Sequence, residues 1–240
     1  MTRAPSGPPA PQGTPLFRLV ALGSRMRFGY RVRSAGNRGT AILLFTFLSA
    51  ATALAIITLA AYRTRFPLLF PPLGPSAFIL FYAPLSASAS PRSVVLAHGL
   101  SLFSGLAALA VVGALRPEAG LHNPLVMNGS RVAAIALAMG AAAAGMIVLR
   151  AAHPPAAATA LLAAMGFMNE PVKSIGLLAA VLLLVAQAFL FNRVLGGLPY
   201  PIWRADPETI RGGGVLAGIP EEGTNFWSRR ADRIFRSRRP

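Results

Sequence analysis

The sequence predicts an all-α fold: a polytopic membrane bundle built from two repeats of spanning helix, proline-broken half-helix and spanning helix. Three observations carry that expectation. Of the 240 residues, 54% are hydrophobic and only 12% charged, a balance far from that of a soluble globular domain. Thr40 to Ala61, Ser93 to Leu115, Val132 to Leu149 and Ser174 to Phe191 are apolar stretches in which His98 is the sole ionisable group. Each approaches the roughly 20 residues that a helix needs to cross a hydrocarbon core. Two further apolar segments, around Pro71-Pro72 and Pro154-Pro155, are interrupted by paired prolines.

Three regions follow along the chain: a basic N-terminal tail over 1–39, a transmembrane domain over 40–195 and a basic C-terminal tail over 196–240. The first 15 residues hold five prolines and offer too little apolar surface for a core, so they are expected to be disordered. Leu16 to Arg33 mixes apolar residues with arginines, which suits either an amphipathic helix on the membrane surface or a solvated basic tail. The first apolar stretch begins some forty residues in and exceeds the core of a cleaved leader, so it is expected to be a retained span. Phe66 to Ala83 comes next, apolar but broken by four prolines and a glycine. The second and third spans follow, then the break at His153-Pro154-Pro155, then the last span.

The net charge of +16 sits mostly in the tails: residues 1–39 carry seven arginines and no acid, and residues 192–240 carry nine arginines against five acids. Under the positive-inside rule both termini are then cytoplasmic, in the plasma (inner) membrane, and the number of crossings is even. Basic tails beside a bilayer point to anionic lipid headgroups as partners rather than to nucleic acid. A homo-oligomer is compatible with this pattern. The absence of cysteine excludes disulfides, thiolate metal sites and cysteine nucleophiles.

The two broken segments resemble each other. Pro71-Pro72-x-x-x-Ser76-Ala77 and Pro154-Pro155-x-x-x-Thr159-Ala160 are 83 residues apart and share a double proline, a hydroxyl residue, an alanine and a following apolar run. The order matches transporters whose binding sites lie where two broken helices meet. If the broken segments are re-entrant, the chain crosses four times and the repeat is parallel; if they traverse, it crosses six times and the repeat is inverted. Small residues recurring every four positions, Ala136-Gly140-Ala144 and Ala97-Ser101-Gly105, predict close helix packing.

Paired prolines remove backbone donors and push the residue before each out of the α region, so helix should stop near Ala152 and restart after Pro155. A half-helix starting there turns unpaired amides and the positive end of its dipole towards the break, which favours an anion. Candidate substrate-binding residues are therefore His153, Pro154, Pro155 and Thr159 at one break and Gly74 and Ser76 at the other. His98 and Ser101 join them as a polar stripe one turn apart in the second span. Histidine can exchange a proton near neutral pH, which suits proton-coupled transport. Arg92, Arg131 and Arg150 at span ends are expected to snorkel to headgroups. There is no paired carboxylate in a span and no hydrolase, metalloprotease or phosphate-loop motif, so neither catalysis, a metal nor a cofactor is expected.

These motifs together, His153-Pro154-Pro155-x-x-Ala158-Thr159-Ala160-Leu161, Pro72-x-Gly74-x-Ser76-Ala77, Leu80-Phe81, Ala83-Pro84, Pro91-Arg92, His98-x-x-Ser101, Gly105 and Asn192-Arg193, resemble the HPP family of integral membrane proteins. The resemblance covers about residues 40–195. It departs from the family pattern at Ala157, Pro75, Ala97 and Ser90. It implies four transmembrane helices and a transport function, since plant chloroplast and cyanobacterial members are linked to nitrite. The expectation is thus a multi-pass transporter or channel for a small inorganic anion, nitrite first. The alternative is a non-transporting membrane scaffold or sensor with basic cytoplasmic tails.

Overall fold

The computed structural model describes residues 38–219. The predicted surface helix at Leu16 to Arg33, the N-terminal proline-rich segment and the closing arginine run lie outside the described residues. Within them the structure is all-helical, without a strand. Four long apolar helices are α1 (Arg38–Thr64), α3 (Pro91–Leu115), α4 (Gly129–Val148) and α6 (Pro171–Phe189), the last continued by a π-helical turn, Leu190–Leu195. Two short ones are α2 (Leu73–Tyr82) and α5 (Ala157–Ala164), and a small α7 (Pro207–Gly212) follows the bundle.

Local chemistry sets where these helices begin. Ser90 accepts from the Ser93 amide with Pro91 at the first helical position, and Asn128 accepts from the Arg131 amide, so α3 and α4 start on side-chain caps. The short helices start on prolines instead. His153 is extended (φ −136°, ψ 91°), and Pro154–Ala156 form a 3-10 turn that leads into α5. α4 stops at Val148, four residues before the expected end. Arg150 adopts a left-handed φ of 47°, the Ala151 amide bonds the Met146 carbonyl and the Arg150 amide bonds that of Ile147, a Schellman ending. The Arg92 guanidinium caps the carbonyls of Leu149 and Arg150. It is thus tied to α4 rather than to headgroups.

Contacts between the elements give the path of the chain. At one end of the bundle Ile42 of α1 clusters with Leu85, just before α3, and with Leu198, just after α6. At the other end Arg131, at the start of α4, bonds the carbonyl of Ala164, the last residue of α5, and that of Leu121 in the α3–α4 loop. α5 therefore runs from the first end to the second, parallel to α3. The segment before α2 lies at the second end, where Pro67 abuts Gly176 near the start of α6. α2 finishes at the first end, with the Leu80 carbonyl held by Asn192 and that of Phe81 by Thr46. Among the described residues the chain thus traverses the bundle six times, and the two three-helix units run in opposite directions. That decides between the two topologies the sequence leaves open: the broken segments traverse, and the repeat is inverted.

The 83-residue repeat holds in burial as well as spelling. Pro72 and Pro155, Ser76 and Thr159, Ala77 and Ala160, Leu80 and Ala163, and Phe81 and Ala164 are buried in pairs, while Pro71 and Pro154 are both exposed. The interior is closed by small residues, including Ala97, Ala134, Ala138, Ala142, Ala160 and Ala163. The outer surface carries Leu43, Phe47, Leu48, Phe103, Ile147 and Leu182 exposed, as expected of helices that face lipid. One expected packing stripe is displaced. Ala136, Gly140 and Ala144 face outwards, and Ala134, Ala138 and Ala142 make the contact. Both registers of α4 repeat small residues every four positions, and only the second meets α3 and α5.

Candidate functional site

The two half-helices bring their N-terminal turns together against α3. Ser76 and Thr159 each lie in the first turn of their half-helix, and His98 lies two turns into α3. All three, with His153 and Ser101, are wholly buried. The Ser76 hydroxyl is the hub. Its Oγ is 2.8 Å from the Pro72 carbonyl, 3.1 Å from His98 Nε2 and 3.0 Å from His153 Nε2. His98 Nδ1 is 2.8 Å from the Thr159 hydroxyl, and His153 Nδ1 is 2.8 Å from the Ser88 carbonyl. The two imidazoles lie 5.4 Å apart, tilted by 53°. Residues drawn from both repeats, α3 and the loop before it are joined in one network.

Ser76, His98, His153 and Thr159 are in the network. Ser101 lies one turn beyond His98 on α3, buried, and its hydroxyl has no partner among the described residues, an unusual state for a buried polar group. Pro155 is buried beneath the turn, whereas Pro154 is exposed. Gly74 is half-buried, and a Cβ there would meet nothing within 4 Å, so no neighbour demands its lack of a side chain. The amides after the prolines are not free as the sequence suggested. Those of Leu73, Gly74 and Ser76 bond the carbonyls of Phe70, Pro71 and Pro72, and that of Ala156 bonds His153. Tight turns close the Leu73, Gly74 and Ala156 donors onto carbonyls three residues back, and the Ser76 amide takes the ordinary α-helical acceptor four residues back. Hydroxyls and imidazoles are therefore the groups the site presents.

Sequence reasoning missed several buried polar residues. Arg131, expected to snorkel, is wholly buried and donates to the carbonyls of Val126, Ala164, Leu121 and Asn123. Tyr200 donates its buried hydroxyl to the Ala89 carbonyl, and burial raises its phenol above the ordinary range. Gln187 on α6 is buried with both ends of its amide unpartnered among the described residues, and Asn192 in the π-helical turn after it uses only its Nδ2. The Ser88 carbonyl, which orients His153, belongs to the backbone and carries no residue-type signal. Apolar surroundings would have flagged Gln187 and Asn192, since a polar side chain in a membrane span is costly.

Comparison with known proteins agrees with this architecture. The family model of the HPP transmembrane region matches residues 36–201. A transmembrane protein of Dictyostelium discoideum is 28% identical over 172 residues, which cover 66% of this chain and 54% of that protein. The chain thus spans about half the length of that curated relative. No solved structure matches the chain.

Proposed function

This chain belongs to the HPP transmembrane family, and on that premise we propose that it is a transporter or channel for a small inorganic anion, nitrite first. The observation that carries the reading is the convergence of two proline-initiated half-helices, one from each inverted repeat, on the buried Ser76, His98, His153 and Thr159 cluster. Inverted repeats with broken helices meeting inside the bundle place the positive ends of two helix dipoles at one point. An anion is the ligand such a point favours. The unpartnered hydroxyl of Ser101 adds a free donor one turn from His98. Nitrite is put first because the family resemblance points to it.

The reading includes an orientation. Both ends of the described chain lie at the end of the bundle where α1 begins and α6 finishes, and the strongly basic tails put that end in the cytoplasm of a cell with the protein in its plasma (inner) membrane. Anionic headgroups are the partner proposed for the tails. The activity is transport, not catalysis. Purified protein reconstituted in liposomes should move nitrite, nitrate or formate faster than protein-free vesicles. His153→Ala should abolish that flux while the protein stays folded, because it removes two of the network's contacts. No flux of any of the three anions in wild-type vesicles would overturn the proposal, and unchanged flux in His153→Ala would take the cluster out of it.

A further inference from the structure

The hydrogen-bond network at Ser76 is short of one hydrogen, and we infer that it is built to take up one proton, at His153 Nε2, together with its anion. The inference rests on the transport reading above and adds the coupling. Donor directions follow from the partners, because a carbonyl can only accept. His153 Nδ1 faces the Ser88 carbonyl, so it carries the hydrogen there, and in the neutral ring Nε2 is a bare acceptor. The Thr159 hydroxyl donates to His98 Nδ1 and His98 Nε2 donates to Ser76 Oγ, which satisfies both His98 contacts. Ser76 is left with one hydrogen between two acceptors, the Pro72 carbonyl at 2.8 Å and His153 Nε2 at 3.0 Å.

No other neutral arrangement helps. Turning His98 to its other tautomer makes its Nε2 a third acceptor for the same Ser76 hydrogen. Turning His153 sets two lone pairs against each other at the Ser88 carbonyl. A proton added to His153 Nε2 completes the set: both rings then donate to Ser76, and Ser76 donates to Pro72. Every contact described is satisfied, and the cluster carries one positive charge. Nothing among the described residues offsets that charge. Among the groups on the packed elements, Arg92 of α3 and Arg150 after α4 are cations, α2 and α5 contribute only hydroxyls, and the described carboxylates Glu118, Glu170, Asp206 and Glu208 are all exposed. Arg131 meets its buried charge with four carbonyls, but a protonated His153 meets only the Ser88 carbonyl and the Ser76 hydroxyl, so its charge calls for a counter-charge. A monovalent anion supplies it, which makes the loaded site neutral and the transport an electroneutral symport of one proton with one anion.

The chain contains three histidines, and His122 lies exposed in the α3–α4 loop, so ¹⁵N-histidine NMR of the full chain in nanodiscs resolves the question directly. With His122→Gln as the reference background, His98 should stay a neutral Nε2–H ring. His153 should pass from a neutral Nδ1–H ring to imidazolium, and sodium nitrite should increase the imidazolium fraction. By the reciprocity of linked equilibria, nitrite affinity should fall about tenfold per pH unit above the His153 midpoint. His153→Gln should remove that slope. A neutral Nε2–H tautomer at His153, or nitrite binding without pH dependence, overturns the inference. In proteoliposomes holding a pH dye, nitrate entry should carry protons at one to one and ignore an imposed voltage. Anion flux that is voltage-driven and proton-free overturns the coupling and leaves the transport reading standing. Absence of all anion flux overturns the transport reading, and the NMR result then judges the proton site by itself.

Discussion

Arg131 carries a positive charge into a wholly buried position and has no acidic partner among the described residues, only the carbonyls of Val126, Ala164, Leu121 and Asn123. Its fork ties the end of α5 to the start of α4 and to the α3–α4 loop. Removing it leaves those carbonyls unmet, and each unmet buried group costs about 1–3 kcal/mol. Arg131→Met should therefore lower stability by about 3 kcal/mol or more, read as a large fall in melting temperature in detergent. Arg131→Lys should recover only part, because an ammonium has no planar fork. An unchanged melting temperature for Arg131→Met would show that the carbonyls are satisfied without it. His98, His153, Ser76 and Thr159 were legible from the sequence, because an ionisable group or a hydroxyl beside a proline break has few roles at membrane depth. Arg131 was not, since an arginine at the third position of a span is spelled the same whether it snorkels or turns inward. Only the loop that folds over it decides, and that loop has no periodicity to read.

At the scale of helices, α3 and α5 meet at Gly105. A Cβ there would lie 2.6 Å from the Ala160 carbonyl oxygen and would also strike the Ala163 side chain. Backbone cannot step aside as a side-chain tip can, so Gly105→Ala should cost about 1–3 kcal/mol, as overpacking does. Gly105→Leu should block assembly of the bundle. Gly140 on α4 is the control: it is exposed and its Cβ would meet nothing within 4 Å, so Gly140→Leu should leave the melting temperature near that of wild type. Equal losses at the two glycines would refute the packing described for α3 and α5. The starts of α2 and α5 could be read from their prolines, which act locally. The end of α4 could not be: Arg92 reaches from α3 to cap the carbonyls of Leu149 and Arg150. The choice between two small-residue registers on α4 was equally hidden, because both have the same period and a single helix does not reveal which face its neighbours occupy.

For the whole molecule, the path of the chain decides whether the half-helices can form one site. A re-entrant α2 would return to the side it came from, and its first turn would approach the interior from the same side as that of α5. Traversing segments instead run in opposite directions, α2 towards the end where Asn192 holds the Leu80 carbonyl and α5 towards the end where Arg131 holds that of Ala164. Their N-terminal turns then meet inside the bundle, as the His98 contacts to Ser76 and Thr159 require. Hydropathy alone favours four crossings, because among the described residues only four helices are long and apolar enough to span unaided. The other two crossings combine a short helix with extended or 3-10 chain, which a bilayer tolerates only where protein covers it. The chain has no cysteine, so single cysteines report sidedness without a background. Arg65, Ala87, Ala152 and Asn169 are exposed around the two broken segments. Arg65→Cys and Asn169→Cys should react with an impermeant maleimide from one face of oriented vesicles, and Ala87→Cys and Ala152→Cys from the other. Re-entrant loops require all four to react from the same face. That outcome would remove the inverted repeat, and with it the reason for two opposed helix N-termini to share one ion.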